Sequence, residues 1–156
     1  MSTLIAYGTK YGFTRTCAGI LAKKLDGKVD VCDLRSKQPD LTQYDKVIIG
    51  GSIYAGKIRK PVMRFCSDNL DTLKGKKLGL FICGMAKEED AQKQLDSSFP
   101  ADLLAVCAAK GFFGGECNYE KMNFLEMFIM KKITGSKQSQ SKVAEDNITR
   151  FAGLMR

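Results

Sequence analysis

A chain of 156 residues with 44% hydrophobic residues is long enough for one compact core and short for two ordinary domains, so a single domain over residues 1–156 is expected. It carries 25 lysines and arginines against 17 acidic residues, a net charge of +8, and no histidine, which excludes imidazole-based hydrolytic triads and the usual zinc sites and leaves chemistry to a bound cofactor. No apolar run nears the roughly 18 to 20 residues needed to cross a bilayer, and the first residues lack a charged-then-apolar leader, so the cytoplasm is the expected location.

Thr3-Leu4-Ile5-Ala6-Tyr7 is a short apolar run that stops at Gly8, as a buried parallel strand would. From Thr14 to Leu25 a helix is expected, with Cys17, Ile20, Leu21 and Leu25 on one face and Arg15, Lys23 and Lys24 on the other. Asp26-Gly27 closes it, the glycine suiting a left-handed cap. Val29–Cys32 is the second strand and Val47–Ile49 the third, the latter ending in the loop Gly50–Lys57. Pro61 opens a helix whose inward positions are Val62, Phe65, Cys66 and Leu70, and Lys77–Cys83 is the fourth strand. A helix is expected over part of Glu88–Leu95 or after Pro100, and a fifth strand within Val106–Phe113 that ends at Gly114-Gly115. Helical patterns follow at Met122–Ile133 and Val143–Met155, separated by the polar linker from Gly135 to Ser141. Such alternation predicts an α/β domain with a doubly wound parallel sheet, whose ligands bind beyond the carboxyl ends of the strands.

The loop Gly8-Thr9-Lys10-Tyr11-Gly12-Phe13-Thr14 lies between a strand and a helix, so its N–H groups and the helix dipole favour an anion. Thr9 and Thr14 add hydroxyls, Lys10 adds charge, and Gly12 allows close backbone approach. The same residues also suit an ordinary strand-to-helix turn whose threonines cap the helix. There is no G-x-x-x-x-G-K-[ST] and no G-x-G-x-x-G here, which leaves a mononucleotide phosphate. At these residues the chain resembles the flavodoxin family, whose phosphate loop has the form [ST]-x-[ST]-G-x-[ST]; Thr9-Lys10-Tyr11-Gly12-Phe13-Thr14 matches it except at Tyr11. That loop, the stretch Tyr44–Gly56 and the late segment Phe124–Gly135 are similar to the menaquinone-dependent protoporphyrinogen IX dehydrogenase branch of the superfamily.

The resemblance implies a flavodoxin-like, five-stranded parallel sheet of order 2-1-3-4-5 with helices on both faces, and FMN as cofactor. It also implies a flavin ring between the loops after strands three and four, with Ser52, Ile53, Tyr54, Ala55 and Gly56 on one side and Cys83, Gly84 and Met85 on the other. Tyr54 is the stacking candidate; Met85 is placed either against the ring or packed under its loop. A carbonyl within Tyr54-Ala55-Gly56 would turn toward flavin N5, a movement glycine eases.

The function expected is FMN-dependent electron transfer with a redox partner protein or a quinone, and no side chain need be catalytic. Menaquinone-dependent protoporphyrinogen oxidation is the enzymatic alternative, and a flavin-free phosphate- or nucleic-acid-binding module is the third reading, with no nucleic acid expected under the first. Electron-carrier flavodoxins are typically acidic, so the basic balance sets this chain apart from them. Lys121, Lys131 and Lys132 beside the apolar stretch 122–133 suggest a peripheral membrane contact, or a helix simply buried against sheet or dimer. Cys17, Cys32, Cys66, Cys83, Cys107 and Cys117 form no C-x-x-C pair and read as buried, reduced thiols.

Overall fold

Apolar runs of about strand length alternate with amphipathic ones, and a computed structural model, which describes residues 2–117 and 140–156, folds them in that order. The first half contains β1 (Ser2–Gly8), α1 (Phe13–Lys24), β2 (Lys28–Asp33), β3 (Lys46–Tyr54), β4 (Lys57–Ile58), α2 (Lys60–Asp68) and α3 (Leu70–Lys74). The second contains β5 (Lys77–Cys83), α4 (Glu88–Ser98), α5 (Ala101–Val106), β6 (Ala109–Phe112), β7 (Gly114–Cys117), β8 (Gln140–Val143) and α6 (Glu145–Met155).

The main sheet runs β2-β1-β3-β5-β6, all parallel, and β4 folds back antiparallel on β3. With that hairpin strand set aside, this is the doubly wound order 2-1-3-4-5 expected from the sequence. The period of two along each strand divides the core. Leu4, Ala6, Val47, Ile49, Leu78, Leu80 and Ile82 meet Val62, Phe65, Leu73, Leu95 and Leu103 from α2 to α5 on one face. Ile5, Tyr7, Ile48, Phe81 and Cys83 meet Cys17, Ala18 and Leu21 of α1 and Ile148, Phe151, Ala152 and Met155 of α6 on the other. Lys46 Nζ and Lys77 Nζ donate to the carbonyls of Met155 and Arg156, 2.7 and 2.6 Å away, and place positive charge at the end of α6.

The structure departs from the sequence reading at several points. The third strand does not end at Gly50: β3 continues through Ser52, Ile53 and Tyr54, and only Ala55 and Gly56 form the turn. Gly50 lies beside Phe81, whose ring fills the place of the absent Cβ, so these glycines serve close packing rather than a loop. Helices form both over Glu88–Ser98 and after Pro100, where one was expected. Gln140 and Ser141, read as linker, pair with Cys117 and Glu116 in a two-stranded antiparallel ladder. Cys32 and Cys107 are half-buried, unlike Cys17, Cys66 and Cys83, and all five are free thiols. The expected helix at Met122–Ile133 lies outside the described residues.

Candidate cofactor cleft

Three strand ends converge at one end of the sheet. Beyond β1, the chain turns through Thr9–Gly12 into α1, and Gly12 takes φ +96°, a left-handed conformation that favours glycine. The Gly12 N–H donates to Thr9 Oγ1 at 3.0 Å, and the Thr16 N–H makes the first helical bond to the Gly12 carbonyl at 3.2 Å. The N–H groups of Phe13, Thr14 and Arg15 therefore have no acceptor within the helix. No side chain caps this terminus and no acid stands in its first turn, so its positive end is uncompensated locally.

Thr14, expected as the junction of loop and helix, lies in the first turn of α1, fully buried. Its Oγ1 has no oxygen or nitrogen partner among the described residues, and the Cys83 thiol beside it is a weak one. Ser52 Oγ on β3 is likewise buried and unpartnered among them. Two buried hydroxyls without acceptors or donors are costly unless something else completes them. Gln94 Oε1, behind Gly84, is in the same position.

The second wall is the β3–β4 hairpin. Tyr54 stands at its tip, with the Lys10 ammonium 3.6 Å from the ring centroid and the Arg59 guanidinium 6.0 Å away. Lys10 thus links the first loop to the second. The third wall is Cys83, Gly84 and Met85. The Gly84 N–H donates to the Gly114 carbonyl at 2.9 Å, and a Cβ on Gly115 would stand 2.0 Å from the Gly84 carbonyl oxygen. This backbone-on-backbone contact brings Glu116 into the wall.

The resulting cleft is lined by Thr9, Lys10, Tyr11 and Phe13 from the first loop, Ser52, Ile53 and Tyr54 from the second strand end, Cys83, Gly84 and Met85 from the third, and Glu116. Gly12 and Thr14, at the start of α1, are not among its lining residues, and Ala55 and Gly56 lie at the hairpin tip along a neighbouring groove. Glu116 was not anticipated. Its strand pairs with residues some 25 positions on, and no local pattern announces that ladder.

Burial pushes the Cys83 thiol well above its ordinary range, helped by the neighbouring Cys17 thiol, so Cys83 is a neutral wall residue rather than a nucleophile. The arrangement brings together uncapped N–H groups at the head of α1, two buried hydroxyls, on α1 and on β3, unpartnered among the described residues, and a cleft lined by an aromatic side chain and a methionine. Among the described residues there is no cluster of groups able to hold a metal ion and no helix long and apolar enough to cross a membrane.

A flavodoxin-domain family model matches residues 4–143. The protoporphyrinogen IX dehydrogenase [quinone] of Escherichia coli K12 is 25% identical over 148 residues, covering 85% of this chain and 78% of that protein. Among solved structures, the flavodoxin of Streptococcus pneumoniae TIGR4 superposes with a TM-score of 0.59 at 18% identity over 99% of this chain and 97% of that one. Oxidised Flavodoxin 1 from Bacillus cereus superposes with a TM-score of 0.56 at 14% identity, over 99% and 97% of the two chains. At such identities the solved structures speak for the fold, whereas the family match covers most of the chain. The chain belongs to the flavodoxin-domain family.

Proposed function

We propose that this chain acts as a single domain over residues 1–156 that binds FMN in the cleft and serves as a redox protein. The observation that carries the reading is the uncapped start of α1, with buried Thr14 Oγ1 unpartnered by oxygen or nitrogen among the described residues, inside a family whose fold is the flavodoxin one. An FMN phosphate fits that seat: it would accept from the free N–H groups of Phe13 to Arg15 and from the hydroxyl of Thr14, with Lys10 adding charge. Tyr54 would offer a ring face to the flavin and Met85 a polarisable contact from the third wall. Bound FMN supplies the chemistry, the reversible acceptance of one or two electrons. The protein's share is to bind, orient and shield it, and no side chain in the cleft need act as acid or base.

The experiment is an anaerobic and aerobic FMN titration of the purified chain, read by quenching of flavin fluorescence and by the visible spectrum. Gly12→Glu places a carboxylate and a strained φ at the head of α1, and should weaken FMN binding at least a hundredfold with the circular dichroism spectrum retained. Unchanged affinity in this variant overturns the site.

A second reading is favoured by the relation to the dehydrogenase: that the chain oxidises protoporphyrinogen IX with a quinone as acceptor. It predicts menaquinone-dependent turnover by the FMN-loaded protein in the presence of lipid. Absence of turnover by protein whose flavin still cycles with artificial donors removes this reading and leaves electron transfer to a protein partner. The suggested membrane contact through residues 122–133 belongs to the same reading, and those residues lie outside the described ones.

A further inference from the structure

The hairpin that carries Tyr54 has a second side. Along it runs a groove of about 750 Å³, walled by Tyr54, Lys57, Arg59, Lys60 and Met63 and reaching Ser97 and Ser98 at the end of α4. Tyr54 is common to this groove and to the cofactor cleft, so whatever sits here is next to the flavin site. Lys57 and Lys60 are exposed and Arg59 is half-buried. Among the described residues none of the three has a carboxylate partner, and the ion pairs there involve other cations. Met63, which lines the same groove, is 52% exposed, one of four large apolar side chains turned to solvent among the described residues.

These features select the occupant. A small ligand would need convergent buried polar groups to orient it. Here the cations stand on the rim, and the Ser97 and Ser98 hydroxyls are turned back onto the Gln94 carbonyl at 3.0 and 2.6 Å. A nucleic acid would need a basic stripe with free aromatic faces, whereas the one ring present already holds the Lys10 ammonium. A bilayer would need more apolar surface than Met63 supplies. An adaptable methionine in one groove with charges of a single sign that have no carboxylate partner among the described residues, beside a redox cofactor site, is the chemistry of a transient, electrostatically steered protein contact.

We propose that the groove lined by Lys57, Arg59, Lys60 and Met63 docks a redox protein whose own face is acidic, the reverse of the polarity by which acidic flavodoxins meet basic partners. The proposal rests on the redox reading for its purpose, while docking itself does not require FMN. The net charge of +8 acts in the same sense, drawing an acidic partner in from a distance.

The test measures complex formation between the full chain, with and without FMN, and a labelled plant-type ferredoxin as the acidic probe. Binding is expected at low ionic strength and should weaken at least about tenfold on going to roughly 0.2 M salt. The triple variant Lys57→Glu, Arg59→Glu, Lys60→Glu should weaken it at least about tenfold further at low salt and should gain affinity for basic cytochrome c. The neutral triple variant Lys57→Gln, Arg59→Gln, Lys60→Gln should fall between, and it decides the matter if the first does not fold. The proposal is overturned if ferredoxin does not bind at low salt, if neither triple variant changes its binding, or if duplex DNA binds more tightly through the same residues. Loss of FMN binding with ferredoxin docking intact would count against the redox reading alone; normal FMN binding without docking counts against this proposal alone.

Discussion

Ala55 is the single non-glycine among the described residues with a positive φ, 52°, and it is followed by Gly56 at 79°. Two successive positive φ values are what a two-residue hairpin turn between Tyr54 and Lys57 demands, since that turn matches the twist of the strands. An alanine Cβ makes the left-handed region costly by about 1 kcal/mol. Ala55→Asn should therefore stabilise the protein by about 0.5 to 1 kcal/mol, read as a higher urea midpoint with the slope unchanged. No gain would mean that the turn is not strained. Tyr44 makes a second prediction at this scale. Its hydroxyl donates to Asp30 Oδ2 at 2.7 Å, and that hydrogen bond, with burial behind it, pushes the phenol up to about 12 from 10.0. The folded chain thus holds this proton more tightly than the unfolded one, so the stabilisation is complete below pH 10 and is lost as pH rises toward 12. Tyr44→Phe should cost about 0.5 to 1.5 kcal/mol at neutral pH and flatten the alkaline fall in stability between those values. A pH profile of the denaturation midpoint with the same alkaline slope in both proteins would show that Tyr44 is not the titrating group.

Strand ends, more than strands, make the cleft, and here the sequence is least legible. β1 and β5 were readable because a run such as Leu78–Cys83 is apolar in its own right, and α1 because Cys17, Leu21 and their neighbours repeat at helical spacing. The loop at Thr9–Thr14 was readable because a glycine between hydroxyl residues has local meaning after a strand. Gly50-Gly51 misled for the converse reason: alone they signal a turn, yet their use is tertiary. A Cβ at Gly50 would meet Phe81 Cζ at 2.0 Å, and that ring stacks on Phe113 at 4.3 Å, which meets Phe151 edge-on at 5.1 Å. The glycine lets β3 run on beneath an aromatic cluster and so delivers Ser52 and Tyr54 to the cleft. Gly50→Ala should then cost about 2 to 3 kcal/mol by overpacking, measured by chemical denaturation, and Phe81→Leu in the same chain should recover part of it. Additive losses would show that the two do not compete for space. The β7–β8 ladder, and with it Glu116, was invisible because polar residues such as Gln140 and Ser141 carry no apolar alternation that would mark a strand.

At the scale of the whole molecule two electrostatic effects are superposed, and salt separates them. The charge of +8 and the rim at Lys57, Arg59 and Lys60 act through solvent, where screening sets in over about 8 Å at physiological ionic strength. The anion seat proposed at the start of α1 would act through N–H groups and the fully buried Thr14, at contact distance. Such short, partly buried interactions are screened far less. FMN affinity should accordingly change little over the range of salt that abolishes docking of an acidic partner. On the proposed reading the same seat would couple cofactor to fold. A ligand that binds only the folded chain adds about 2.7 kcal/mol at a hundred times its dissociation constant. Thermal unfolding with and without FMN, at low and at physiological salt, checks both statements: the midpoint should rise with FMN by nearly the same amount in the two buffers. In Gly12→Glu at equal FMN concentration that rise should disappear. A rise that collapses on adding salt would place the phosphate on the exposed cations instead of on the helix terminus, and would move the site from the head of α1 to the basic surface around it.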